Sequence, residues 1–331
     1  VNFHLLVRQI LVIFNGERTI AAPYHLLKGK KSSQTLEDVA LFHLHNFYRI
    51  LPQLERAVYE QAILQLEQEG VLTISNDKSY RIEPMPLVSY HFNGWRYQGL
   101  EAIFFKRLQL TVQTLSQHQA QDMKFAPVVS DTTIQQFTRQ FLQQATYQQG
   151  ELSAKLYQEI VTTLKQTIMT EDQRMLISYR LSGYEQPAQT LRQLALATNH
   201  TVLDVQLLLI EALHIWLDTL DTPLLFALRQ GCVSEQALTE TAAKTNVLLE
   251  QGYTFEQICH YRHLKASTIQ DHIVEIARNM ASFDVTPYID SATLQRVHQV
   301  VRQMQTKRLK VLHEQTGLPY FQIRLALTRE G

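Results

Sequence analysis

Three places in the chain hold side chains of types that do chemistry. Gly29-Lys30-Lys31-Ser32 ends like a phosphate-binding loop, but the earlier glycine of that loop and a strand before it are missing. Cys259, His260 and His263 are metal-ligating types. Cys259 falls beside Ile258 on the inward side of a short helix, where a small thiol packs as an apolar group. His43 and His45 are two residues apart, so on a helix they point away from one another and share no ion. No Asp-Glu box of an ATP-driven motor is present, and position alone assembles no Ser–His–Asp or Cys–His pair. The expectation is a protein that is not an enzyme, with no cofactor, no metal and no small-molecule substrate.

A binding pattern is clearer. Over residues 254–276, Thr254 is an N-cap with Gln257 three residues on, the two halves of a capping box. Residues 262–266 turn the chain. Ser267 is the expected cap of the next helix, 268–279, and Ile258, Leu264, Ile269 and Ile273 are the expected core. That is a helix-turn-helix, whose second helix presents its N-terminal end to the DNA major groove. The expected DNA contacts here are Arg262, Lys265, Ser267, Thr268, Gln270 and His272, with Asp271 beside them. Lys, Arg, Ser and Thr suit phosphates, and Gln suits an adenine edge. Two basic stretches join the set: Lys28, Lys30 and Lys31 near the N-terminus, and Lys307, Arg308 and Lys310 near the C-terminus. Across 287–331 the bases are Arg296, Arg302, Lys307, Arg308, Lys310, Arg324 and Arg329, and the acids Asp290, Glu314 and Glu330. That excess of base beside a helix-turn-helix is a phosphate-contacting surface.

These residues are carried by a chain of 331 residues, long enough for two or three folding units. Its 31 basic and 31 acidic residues cancel, which excludes binding driven by global positive charge but leaves a local basic face possible. Only 11 Gly and 9 Pro punctuate it, so a mainly α fold is expected. Two cysteines make no disulfide framework, which points to a reducing cytoplasm. The apolar run 10–14 is too short to span a membrane and has no small-residue cleavage site, so no membrane partner is expected.

Helical spacing and turn residues predict helices over 3–14, 19–27, 36–47 and 54–69, then strands 71–75 and 79–82 joined by Asn76-Asp77-Lys78. Helices followed by a small hairpin make 1–90 a winged-helix-like domain. A helical middle region, 91–232, has helices over 100–115, 132–144 and 153–169 and a second helix-turn-helix over 190–217. Its Phe104, Phe105 and Leu108 exemplify the wide apolar faces of the helices over 1–170, most of which should be core, with a residual exposed patch as a docking place for a partner. The domain 233–331 holds the helix-turn-helix described above, then helices over 294–312 and 319–327.

Two stretches carry a family resemblance: Leu248-Leu249-Glu250-Gln251-Gly252-Tyr253-Thr254-Phe255-Glu256-Gln257-Ile258 and Arg262-His263-Leu264-Lys265-Ala266-Ser267-Thr268-Ile269-Gln270-Asp271-His272-Ile273. They resemble the helix-turn-helix domain found at the C-terminus of some RecQ helicases and in the stand-alone bacterial YpbB-type proteins, typically encoded beside a RecQ-like helicase. The closing stretch Leu318-Pro319-Tyr320-Phe321-Gln322-Ile323-Arg324-Leu325 is similar to the end of that domain. Leu26-Leu27-Lys28-Gly29-Lys30-Lys31-Ser32-Ser33-Gln34-Thr35 is similar to the N-terminal region of the YpbB-type proteins. His263 departs from the pattern where a glycine often stands in the turn, and Cys259 where alanine is common. The resemblance implies a DNA-binding accessory protein that works with a RecQ-like helicase in DNA repair or recombination. The alternatives are a transcriptional regulator, since 254–276 also resembles response-regulator helix-turn-helices, and a protein-interaction scaffold without DNA contact.

Overall fold

With few glycines and prolines to interrupt it, the chain folds mainly into helices. The computed structural model describes residues 1–76, 79–144, 151–234 and 238–329; Asp77 and Lys78 of the expected hairpin turn, and Glu330, lie outside them. The N-terminal unit starts with α1 (Phe3–Phe14), capped by the Asn2 side chain, which accepts from Leu5 N–H at 3.2 Å. α2 (Ala22–Lys28) has Pro23 in its first turn, where a missing N–H costs nothing. It ends at Gly29, whose φ of +72° and closeness to the Arg49 side chain leave no room for a Cβ. α3 (Ser33–Leu41) is capped by Ser32. The helix expected over 36–47 therefore begins earlier and stops sooner: His43 turns left-handed (φ +54°), and a short 3-10 turn, His45–Phe47, follows. α4 (Arg56–Gln68) leads into the hairpin of β1 (Leu72–Ile74) and β2 (Tyr80–Ile82), antiparallel with Leu72 opposite Ile82.

The middle region comprises α5 (Gly94–Tyr97), α6 (Glu101–Gln119), α7 (Thr132–Gln144), α8 (Glu151–Gln166), α9 (Glu171–Tyr179), α10 (Leu191–Thr198), α11 (Val202–Thr219) and α12 (Pro223–Arg229). Its keystone is α11, which is apolar on nearly every side and so must be buried on every side. Val205, Leu209, Ala212 and Trp216 enter the central core, with the Trp216 indole N–H donating to Thr163 Oγ1 at 2.9 Å. Leu207 and Ile210 enter the N-terminal core instead. Asp204, in the first turn of α11, accepts from Phe3 N–H at 2.7 Å and fastens the start of α1 to it. The connection before α5 is strapped to the same helix: His91 N–H donates to Glu211 at 2.8 Å and Asn93 N–H to His214 Nδ1 at 2.9 Å. Phe104, Phe105 and Leu108 are packed in the central core, so these three contribute nothing to an exposed patch.

The C-terminal region holds α13 (Glu240–Glu250), α14 (Phe255–Arg262), α15 (Ala266–Asn279), α16 (Ser291–Met304), α17 (Leu309–Thr316) and α18 (Tyr320–Leu327). Ile258, Ile269, Ile273, Val297, Leu312 and Ile323 form its core, and Leu41 at the end of α3 joins them. The single helix expected over 294–312 is instead two, because Gln305 takes a left-handed conformation (φ +48°) and Arg308 begins a new helix. Among the described residues no single helix is long and apolar enough to cross a membrane. The bent pair α10 and α11 approaches that length, but α11 is core.

Candidate nucleic-acid interface

The helix-turn-helix forms where its caps demand it. Thr254 Oγ1 accepts from Gln257 N–H at 3.3 Å, and Gln257 Oε1 accepts from Thr254 N–H at 2.8 Å, closing the capping box. In the turn His263 sits at φ +51°, the left-handed conformation that favours glycine. Leu264 is half-buried against the core, and Cys259 packs against it too. No group of three or more metal-ligating side chains exists among the described residues. α15 starts two residues earlier than expected: Lys265, not Ser267, is the capping residue, with extended backbone and no side-chain cap.

The fully exposed residues of this helix lie at its start, while Gln270 and Asp271 are half-buried. Lys265, Ala266 and Ser267 are exposed and Thr268 is half-exposed. Arg262 and His272 turn inward instead, a correction to their expected role at the DNA surface. Nη1 of Arg262 donates to the Thr241 carbonyl (2.6 Å) and to the Thr245 hydroxyl, and the same hydroxyl lies 2.8 Å from His272 Nδ1. These three residues form a polar seam between α13 and α15. His272 is 7% exposed. Burial first, and the Arg262 guanidinium second, lower its pKa, which favours the neutral ring. Asp271 accepts from Arg324 Nη1 at 2.5 Å. Arg324 also binds the buried Glu37 carboxylate on α3, so α3 and α18 cover the side of α15 that carries Asp271. Gln270 faces a groove bordered by the carboxylates of Glu250, Glu256 and Asp284, an environment that repels phosphate.

The basic stretches meet elsewhere. Lys30, Arg308 and Lys310 converge on a cleft of about 510 Å³ between the N-terminal unit and the start of α17. Arg18 also lines it, and the opposing carboxylates are Glu17 and Asp38. Asp38 is bound by Arg18 at 2.5 Å, and Glu17 accepts the Lys307 backbone N–H at 3.0 Å. Arg308 is oriented by donating to the Gly16 carbonyl and forms no ion pair with a described residue. Lys30 and Lys310 are exposed. The hydroxyls of Ser32 and Thr35 at the start of α3 line the cleft, as do Leu309 and Lys310 at the start of α17, so the positive ends of two helix dipoles add to the cations. His25, also in the lining, has its pKa lowered by burial first and then by Lys30 and Arg56.

Of the remaining expected contacts, Lys307 stands at the edge of this cleft with its Nζ donating to the Leu41 carbonyl at 3.2 Å. Lys31 borders a narrow crevice with Glu275 and Arg278. Lys28 points away, its Nζ 3.3 Å from both the Tyr24 hydroxyl and the Leu54 carbonyl. Arg18, Ser32 and Thr35 escape the sequence reading, because nothing local joins them to residues near position 308.

A family model described as a helix-turn-helix domain matches residues 241–327. The chain is 28% identical to Protein YpbB of Bacillus subtilis (strain 168) over 348 residues, covering 99% of the chain and 97% of that protein. No solved structure matches the chain.

Proposed function

We propose that this chain, which carries a helix-turn-helix domain and is similar to Protein YpbB along nearly its whole length, is a non-enzymatic DNA-binding protein of the YpbB type that holds the phosphate backbone in the basic cleft. The convergence of Lys30, Arg308 and Lys310 from opposite ends of the chain carries this reading. Uncompensated cations and helix N-termini bind phosphate oxygens and release counterions, whatever the base sequence. Lys265 and Ser267, at the exposed tip of α15, supply a second phosphate contact. As the family resemblance implies, the protein works in the cytoplasm as an accessory to a RecQ-like helicase in DNA repair or recombination, contributing DNA affinity while the motor supplies ATP hydrolysis. A sequence-reading regulator is the weaker alternative, because such a protein needs several base-facing side chains along its recognition helix. Here the fully exposed residues of α15 are confined to its start, Gln270 faces an acidic groove and Asp271 is bound to Arg324.

The test is fluorescence anisotropy with duplex, single-stranded and forked DNA across a salt titration. The expected result is sequence-independent binding that weakens steeply with salt. Binding that withstands salt and discriminates among duplex sequences would favour the regulator. The helicase partnership is tested by co-purification and by unwinding assays with and without this chain; no association and no change in unwinding would refute it.

A further inference from the structure

The groove that Gln270 lines holds about 880 Å³, and its chemistry is opposite to that of the basic cleft. It runs between the α13–α14 connection and the loop after α15. Its floor is aromatic: Phe283 and Tyr288 stack with ring centroids 6.3 Å apart, and Phe321 meets Tyr288 edge-on at 6.0 Å. Its rim carries Glu250, Glu256 and Asp284, and no Lys, Arg or His lines it. Both glutamates are exposed and neither forms an ion pair with a described residue. Asp284 accepts from the backbone N–H and hydroxyl of Thr286, which lowers its pKa and keeps the carboxylate ionised.

Aromatic surface of this kind is worth burying, and aromatic-lined pockets are where interfaces concentrate their affinity. The carboxylates decide what can bury it. A nucleic acid would bring phosphates against three negative charges with no compensating cation. A protein segment with apolar anchors and Lys or Arg beside them satisfies both features: the anchors fill the aromatic floor, and the cations meet the rim. We propose that this groove is a docking site for a cationic segment of a partner protein carrying aromatic or aliphatic anchors. The site lies apart from the DNA cleft and does not depend on it, so both can be occupied at once.

The test uses the full chain and a fluorescein-labelled amphipathic peptide with Leu and Trp at i, i+3, i+4 and i+7 and Lys elsewhere. Two controls accompany it: the same peptide with Glu in place of Lys, and the same peptide with Ser in place of Leu and Trp. The Lys peptide is expected to bind at least about tenfold more tightly than either control. The double variant Glu250→Lys/Glu256→Lys should lose about tenfold or more of that affinity while its melting temperature and DNA binding hold. Both positions are exposed, and Lys suits the C-terminal end of α13, so folding is expected to survive. Lys30→Glu/Lys310→Glu should bind the peptide like the parent, which separates this site from the DNA reading. Equal binding by parent and Glu250→Lys/Glu256→Lys, undiminished binding of the Ser peptide, or displacement of the peptide by duplex DNA would overturn the proposal.

Discussion

The protein carries two concave surfaces of opposite character. The cleft at the start of α17 gathers Arg18, Lys30, Arg308 and Lys310; the groove beside α14 gathers Glu250, Glu256 and Asp284 over an aromatic floor. The chain has no net charge, yet its charge is sorted between two sites. Net charge speaks to solubility and non-specific attraction, whereas recognition depends on where charges are held together. The two surfaces are also built differently. The groove lies within the C-terminal domain, while the cleft needs walls from both ends of the chain.

That difference in construction gives the largest expected effect. Arg324 is the cation that binds Glu37 on α3 and Asp271 on α15, and so helps join the N-terminal unit to the C-terminal domain. Arg324→Ala removes the hydrogen-bonded partner of the buried Glu37 carboxylate, leaving only the field of Arg278, and should cost about 3 kcal/mol in urea denaturation. It should weaken DNA binding at the two-walled cleft while sparing peptide binding at the groove. A stability loss below about 1 kcal/mol would mean that the pair behaves as a surface ion pair and does not hold the walls together.

The next effect separates the surfaces by charge. Lys30→Glu/Lys310→Glu should weaken DNA binding at least about tenfold and reduce the slope of log affinity against log salt by about 1.8, the value for two lost phosphate contacts. An unchanged slope would remove the cleft from the DNA path. A smaller change is expected at the tip of α15: Lys265→Glu should lower affinity severalfold and the slope by about 0.9. If that variant loses more than Lys30→Glu/Lys310→Glu does, the helix-turn-helix and not the cleft is the principal surface. Arg262→Glu cannot serve this purpose, because Arg262 is a bond between α13 and α14.

Two further measurements probe the scaffold of the helix-turn-helix. His263→Gly should stabilise the protein by about 1 kcal/mol in thermal or urea unfolding, because a left-handed conformation is unfavourable for any residue with a Cβ. A loss of stability would mean that the His263 ring, 6.2 Å from that of His260, contributes more than the backbone strain costs. The smallest effect is in pH. The pKa of His272 is lowered by burial and by Arg262, so between that lowered value and the ordinary 6.5 the unfolded chain holds the extra proton. Its contribution to stability is complete above pH 6.5 and is lost as pH falls towards the folded value. His272→Asn should flatten the decline in stability below pH 6.5, and an identical decline would assign it to His25 and His45, which burial shifts the same way.

Much of the helix-turn-helix was legible because its signals are local. Thr254 and Gln257 are one turn apart, and Ile258, Ile269 and Ile273 repeat at helical spacing, so caps and core follow from the residues themselves. His272 was legible on the same terms and was misread: three residues after Ile269 and four before Ile276, it shares their inward face. The break at Gln305 gave no such signal. No glycine or proline marks it, and the apolar spacing continues through it.

Composition and periodicity by themselves determined that the protein is mainly helical, where most helices lie, and that a helix-turn-helix occupies the C-terminal part. Those properties depend on interactions within a turn or two of the backbone, which a short window of residues contains. Tertiary structure alone decided that Lys30 and Lys310 line one cleft, that α11 serves two cores, and that the fully exposed residues of α15 are confined to its start. The hydrogen bond from Lys307 to Glu17 joins residues 290 positions apart. A contact of that kind forms only after the cores have packed and the ends of the chain have been brought together, so no local pattern encodes it.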